Sequence, residues 1–370
     1  MNIPRPALLT LLGSVASVVD KRPTAPVLGT VLLSSDGGTL TATATNKAIT
    51  VTDSAPCSGA LASICVDPVV LISQVKAAGG DVVSVEPGRA GQIVVKAGRT
   101  TTTLNVHPGD DFPHSPDRKW SAPMGIDAAA LARCIESVKH SIAGEDNKYG
   151  LSGVHLESVT GDDGAWLRLV STDGNRLSYD EVQVTAGELP RLGKVLMPRA
   201  CVAEIQAHAA GAAEGAGVEI AFAERAVQVR VGSATIVGLL LEADFPDYRQ
   251  AVPTSYSRCV IVDRAELVAG VQGVSSLATG STRTLRMDIR EEEIGLFARK
   301  LDAGSAESSS PCKATGGDIK IGMNASFLLE TLARLPAGEV RMDLTEKLSP
   351  VLVSSETSRA RFVLMPVRLD

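Results

Sequence analysis

The chain has 370 residues, a formal net charge of -6 and 44% hydrophobic residues, enough for two or three domains with real cores and too apolar for a disordered chain. The acidic balance excludes a protein that coats nucleic acid through bulk positive charge, but not one that meets DNA on a restricted surface. The six cysteines are scattered without a CxxC pair, as expected of reduced thiols in a cytosol, and the five histidines show no metal-ligand spacing, so neither metal nor cofactor is expected.

The first element is an apolar run at residues 6–19, preceded only by Arg5 and followed by Asp20-Lys21-Arg22 where a signal peptide would carry small residues. Leu8, Leu12, Val15 and Val19 fall at helical spacing, which predicts the first amphipathic helix of a soluble domain. No apolar run reaches transmembrane length. Further along, a strand running into a helix occurs three times, at residues 62–68, 194–198 and 318–324, each followed by an apolar-periodic stretch. Asp67 and Asn324 suit the helix cap and Pro68 the first turn.

Two other markers repeat. Ile126-Asp127-Ala128 opens a helix through Leu131, Ile135 and Val138, and Val262-Asp263-Arg264 opens another through Leu267, Val271 and Val274. Asp111-Phe112-Pro113 returns as Asp244-Phe245-Pro246. Residues 93–96, 102–106, 166–170, 227–231 and 351–353 read as strands, Asp173-Gly174 as a hairpin turn, residues 362–365 as an edge strand, and residues 302–317 as a mobile Gly/Ser-rich loop. The predicted fold is α+β: three tandem copies of one module, each with two helices on antiparallel sheets, at residues 1–121, 122–254 and 255–370. Two such chains would close a six-module ring.

Four segments carry a resemblance over the whole chain: residues 22–29 (RPTAPVLG), 171–177 (STDGNRL), 244–249 (DFPDYR) and 365–369 (MPVRL). Their order and spacing resemble the bacterial DNA polymerase III beta subunit, the sliding clamp. The resemblance implies a non-enzymatic, cytoplasmic homodimer ring that encircles double-stranded DNA. It also implies a groove for short peptide motifs of the polymerase III alpha subunit, the clamp loader and repair proteins. By position that groove comprises Leu151, Thr172, Gly174, Asn175, Arg176, Leu177, Pro246, Leu348, Val363, Leu364, Met365, Pro366, Val367, Arg368 and Leu369. An apolar cleft with a soft Met suits Leu and Phe anchors. The chain departs from the family's usual residues at Asn175, Gln250, Thr282 and Pro350.

The resemblance further implies DNA contacts from Arg22, Lys148 and Tyr149, and a dimer contact in which Thr102 and Leu104 face Ser276 and Leu277. Along the six helices, Arg5, Lys21, Lys76, Arg133, Lys139, Arg199, Arg264 and Arg334 offset the acids to leave a mildly positive pore. Two alternatives are a specialised accessory copy of the clamp and an adaptor unrelated to DNA. An enzyme is disfavoured: Cys134 and His140, six apart, sit on different helix faces, Asp162, Asp163 and Asp173 lie in predicted turns, and there is no GxxxxGK[ST] loop.

Overall fold

The computed structural model describes residues 1–20, 22–144, 149–278, 280 and 283–369, with Tyr149 described by its backbone alone. Among these residues are six α-helices: α1 (Arg5–Ala16), α2 (Pro68–Ala77), α3 (Ala128–Lys139), α4 (Arg199–Ala210), α5 (Arg264–Ser275) and α6 (Ala325–Leu332). Every strand pairing is antiparallel. Each helix leaves the end of a strand, and the local chemistry explains the switch. Asp67, Asp263 and Asn324 each accept two of the first free N–H groups of α2, α5 and α6, and Asp127 accepts the Ala130 N–H of α3. The strands before α1 and α4 end instead in Pro4 and Pro198.

The described residues pack into two compact units: Met1–Ala132 with Val184–Pro190 and Ala203–Leu240, and Arg133–Gln183 with Arg191–Val202 and Leu241–Asp370. The division runs through the second repeat because strand pairing continues across the repeat junctions. In the first unit the second repeat's last strand, Ala234–Leu239, pairs with the first repeat's hairpin, Thr235 opposite Thr52 through Gly238 opposite Ile49. In the second unit the third repeat's last strand, Arg361–Leu364, pairs with the second repeat's hairpin, Arg176 opposite Leu364 through Tyr179 opposite Arg361. Each repeat is thus sewn to the one before it.

The core positions follow the helical stripes. Leu8, Leu11, Leu12 and Val15 of α1 and Leu71 and Val75 of α2 are all 2% exposed or less. The stripe continues to Val18 rather than Val19, since α1 ends at Ala16. In the third repeat Leu267, Val271, Val274, Leu328 and Leu332 close over Leu285, Met287, Ile321, Met323 and Phe362. Burying such side chains is the main favourable contribution to each unit, about 1.5–3 kcal/mol per large residue.

Two sequence readings are corrected. Residues 302–317 are mostly strand: Gly304–Thr315 pairs with Glu293–Lys300 along most of its length and with Arg258–Asp263 at its end. Ser308 and Ser310 mark close packing against α5, not a loop. Ser310 is fully buried and donates to the Glu266 carbonyl, and a Cβ on Gly270 would lie 2.6 Å from the Ser310 hydroxyl, so α5 sits directly on the strand. The segment at 362–365 is not an edge either: Arg361–Leu364 has Val351–Ser354 on one side and Arg176–Ala186 on the other. No helix among the described residues is long and apolar enough to cross a membrane.

Candidate functional site

The site grows from the turn at 173–175. Gly174 has φ +91°, a conformation that only glycine adopts without strain. Asp173 Oδ1 accepts the N–H groups of Asn175 and Arg176, while Thr172 Oγ1 accepts from Gly174 and donates to the Arg176 carbonyl. This fixes the hairpin's end and holds Leu177 in register with Val363. Val170, Leu177, Tyr248, Leu352 and Val363 form a small buried cluster, with Tyr179, Phe245 and Val252 packed against it.

Arg176 is a strut within this arrangement. Its guanidinium bonds Asp173 Oδ2 at 2.9 Å, Glu330 Oε2 at 2.6 Å and the His140 carbonyl at 2.6 Å, and lies 4.2 Å from the Phe327 ring centroid. Only 10% of the side chain is exposed. The resemblance places it in the groove; within this chain its guanidinium is bonded to α6 and the end of α3.

The tail leaves the strand at Met365, whose N–H donates to the Asn175 carbonyl at 2.9 Å, and Val367 then bridges to Gly322. A Cβ on Gly322 would meet the Val367 carbonyl oxygen at 2.3 Å and Leu369 Cδ2 at 2.9 Å, so glycine there is what lets the tail lie flat. Leu348, Val367, Arg368 and Leu369 line a cleft of about 350 Å³ with Lys320, Ile321, Gly322 and Lys347. Leu348, Met365 and Leu369 keep 39–48% of their surface in solvent, unusual for large apolar residues beside a cleft.

Not every proposed groove residue reaches this surface. Leu177, Val363 and Leu364 are 4% exposed or less and support the wall from beneath. Leu151 is buried, its carbonyl bonded by the Ala143 N–H. Asn175 and Pro246 are exposed and Pro366 is half-buried. Phe245, beside Pro246, stacks on His155 with ring centroids 5.1 Å apart. Gln250 is tied to Asp247 at 3.1 Å, Pro350 is half-buried, and Thr282 lies outside the described residues. Lys320, Ile321, Gly322 and Lys347 went unread as site residues. The available signal was the glycine inside the third strand-to-helix marker.

The helix cations divide sharply. Arg5 of α1 donates to the Ala78 carbonyl beyond α2, Arg199 of α4 to the Ile142 and Ala143 carbonyls beyond α3, and Arg264 of α5 to the Leu332 carbonyl of α6. In every repeat the arginine opening one helix braces the other helix's C-terminal end, where free carbonyls and the helix dipole favour a cation. Arg334 bonds the Glu330 carbonyl and Glu136, and Lys139 also pairs with Glu136 at 2.5 Å. Of these residues, read from sequence as pore charges, all but Lys139, whose Glu136 partner lies on its own helix, hold helices together. Lys76, Arg133 and Arg22 are exposed, and the Arg22 N–H is held by Asp20. Lys21 and Lys148 lie outside the described residues, as does the Tyr149 side chain.

At the proposed dimer contact, Thr102 donates to Gln74 at 3.3 Å and Leu104 is 9% exposed. Ser276 is exposed, while Leu277 packs against the third repeat's core. The strand Thr100–Asn105 is paired on one side only among the described residues.

Family models for the DNA polymerase III beta subunit match nearly the whole chain: the N-terminal domain at 1–116, the central domain at 125–247 and the C-terminal domain at 249–368. The chain belongs to the DNA polymerase III beta subunit family. It is 27% identical to the beta sliding clamp of Caulobacter vibrioides over 373 residues, covering all of both, and 29% identical to that of Pseudomonas aeruginosa, covering all of this chain and 99% of the relative. Among solved structures, the P. aeruginosa sliding clamp bound to griselimycin superposes with a TM-score of 0.93 at 28% identity, and a Caulobacter crescentus pol III beta with 0.92 at 27%. Each covers the full chain and 99% of the other.

Family membership fixes the class of activity: a non-enzymatic processivity factor. The chemistry of Cys134 and His140 agrees. Burial pushes the Cys134 thiol well above its ordinary value, and burial followed by the charges of Arg176 and Arg334 depresses His140 to about 3. A neutral thiol and a neutral imidazole make no activated nucleophile at physiological pH.

Proposed function

We propose that this chain works as a DNA sliding clamp, two copies closing a cytoplasmic ring of three modules each around duplex DNA. Module boundaries near residues 121 and 254 suit this reading. The ring tethers DNA polymerase III, the clamp loader and other motif-bearing proteins through the groove beside the tail. Topology rather than phosphate affinity then retains the DNA, in keeping with a net charge of -6 and with helix arginines spent on carbonyls. Arg22 and Lys148 supply the light phosphate contacts.

The observation that carries the reading is the rule by which the repeats join. The last strand of the second repeat pairs with the hairpin of the first, and the last strand of the third with the hairpin of the second. Extended once more, the last strand of the first repeat, Thr100–Asn105, needs the hairpin of a third repeat, Gly304–Thr315. Only a second copy supplies it head to tail, and two copies close the ring. The Thr102 and Leu104 contact with Ser276 and Leu277 would flank this pairing.

Because Thr fills most of one strand and small Ser residues recur along the other, backbone hydrogen bonds carry much of the contact. Alternate N–H groups of an edge strand point outward, so one of Thr102→Pro and Thr103→Pro removes an outward donor. That variant should sediment as a monomer at micromolar concentration with an unchanged circular dichroism spectrum. Two dimeric proline variants would show that the edge assignment is wrong.

A further inference from the structure

The cleft beside the tail carries more charge than apolar anchors require. Along with Ile321, Leu348, Val367 and Leu369 it is lined by Lys320, Lys347 and Arg368, and by no carboxylate. Lys347 and Arg368 are exposed and form no ion pair among the described residues. Lys320 approaches Asp288 at 3.5 Å while 64% of its side chain remains in solvent. An adjoining cleft shares Lys320, Lys347 and Leu348 and adds Asp318, Glu346 and Arg258. Arg258 is already committed there, donating to the Thr345 and Gly317 carbonyls. In a chain of net charge -6, a peptide groove with a cationic lining is a local inversion of sign.

We propose that this cleft selects partner peptides whose apolar anchors are flanked by Asp or Glu, with Lys320, Lys347 and Arg368 as the specificity-determining residues. The proposal rests on the reading of the groove as a peptide site. An anchor seated against Leu348 and Leu369 brings its neighbouring residues alongside the three cations. Excluding water from the cleft then strengthens the attraction over that of a free surface pair. The same field speeds encounter with an acidic segment and repels a basic one.

The test uses the full chain and two labelled synthetic peptides with identical Leu and Phe anchors, one flanked by Glu and the other by Gln, measured by fluorescence anisotropy. The acidic peptide should bind about five-fold tighter at low salt, and the difference should shrink at high salt. In the double variant Lys320→Gln, Lys347→Gln the ratio of the two affinities should fall toward one. Equal binding of both peptides by the unaltered chain would overturn the proposal and leave the peptide site standing. A preference undiminished in the double variant would overturn the assignment to these lysines. Failure of both peptides to bind would overturn the peptide site, and this proposal with it.

Discussion

Deleting residues 365–370 should weaken binding of a clamp-motif peptide by about two orders of magnitude while leaving the dimer assembled. Each apolar anchor buried against this wall is worth about 1.5–3 kcal/mol, and about 1.4 kcal/mol is tenfold in affinity. The deletion removes Met365, Val367 and Leu369 but stops short of Arg361–Leu364, a strand held on both sides. The fold should therefore persist and only the wall be lost. Fluorescence anisotropy with a labelled peptide, alongside light scattering, separates the two effects. Undiminished peptide binding would remove the tail from the site.

The second large effect falls on stability. Arg176→Ala should cost about 2–4 kcal/mol, because it strips a nearly buried guanidinium from two carboxylates, a carbonyl and an aromatic face at once. Arg176→Lys should recover part of this and not all, since an ammonium cannot reproduce the planar fork that bonds three acceptors. Denaturant unfolding measures both variants. An Arg176→Ala chain as stable as the original would contradict the strut and return Arg176 to the groove as a direct peptide contact.

Helices were legible in the sequence because their signals are local. The stripes at Leu131, Ile135 and Val138 and at Leu267, Val271 and Val274 are buried as read, and Asp67, Asp127, Asp263 and Asn324 cap the helices they precede. The hairpin at Asp173-Gly174 was equally plain, since a positive φ demands glycine there. What escaped depends on distant partners. The Ser-rich strand Gly304–Thr315 looks like a loop until α5 is seen resting on it through Gly270. Residues 361–364 look like an edge until Arg176–Tyr179 supplies the second neighbour from far along the chain. Arg5, Arg199 and Arg264 look like solvent-facing cations because a guanidinium's choice between phosphate and carbonyl is not written within one helix. The groove was reached through resemblance, and its lysines became visible only once Gly322 had brought the tail against Ile319–Asn324.

Retention on DNA of different topology tests the central claim most directly. Protein loaded by a clamp loader onto nicked circular duplex should stay bound through gel filtration at physiological salt and be lost once a restriction enzyme linearises the circle. Equal retention on circular and linear DNA would mean that affinity holds the protein in place, and would contradict a ring that encircles and slides.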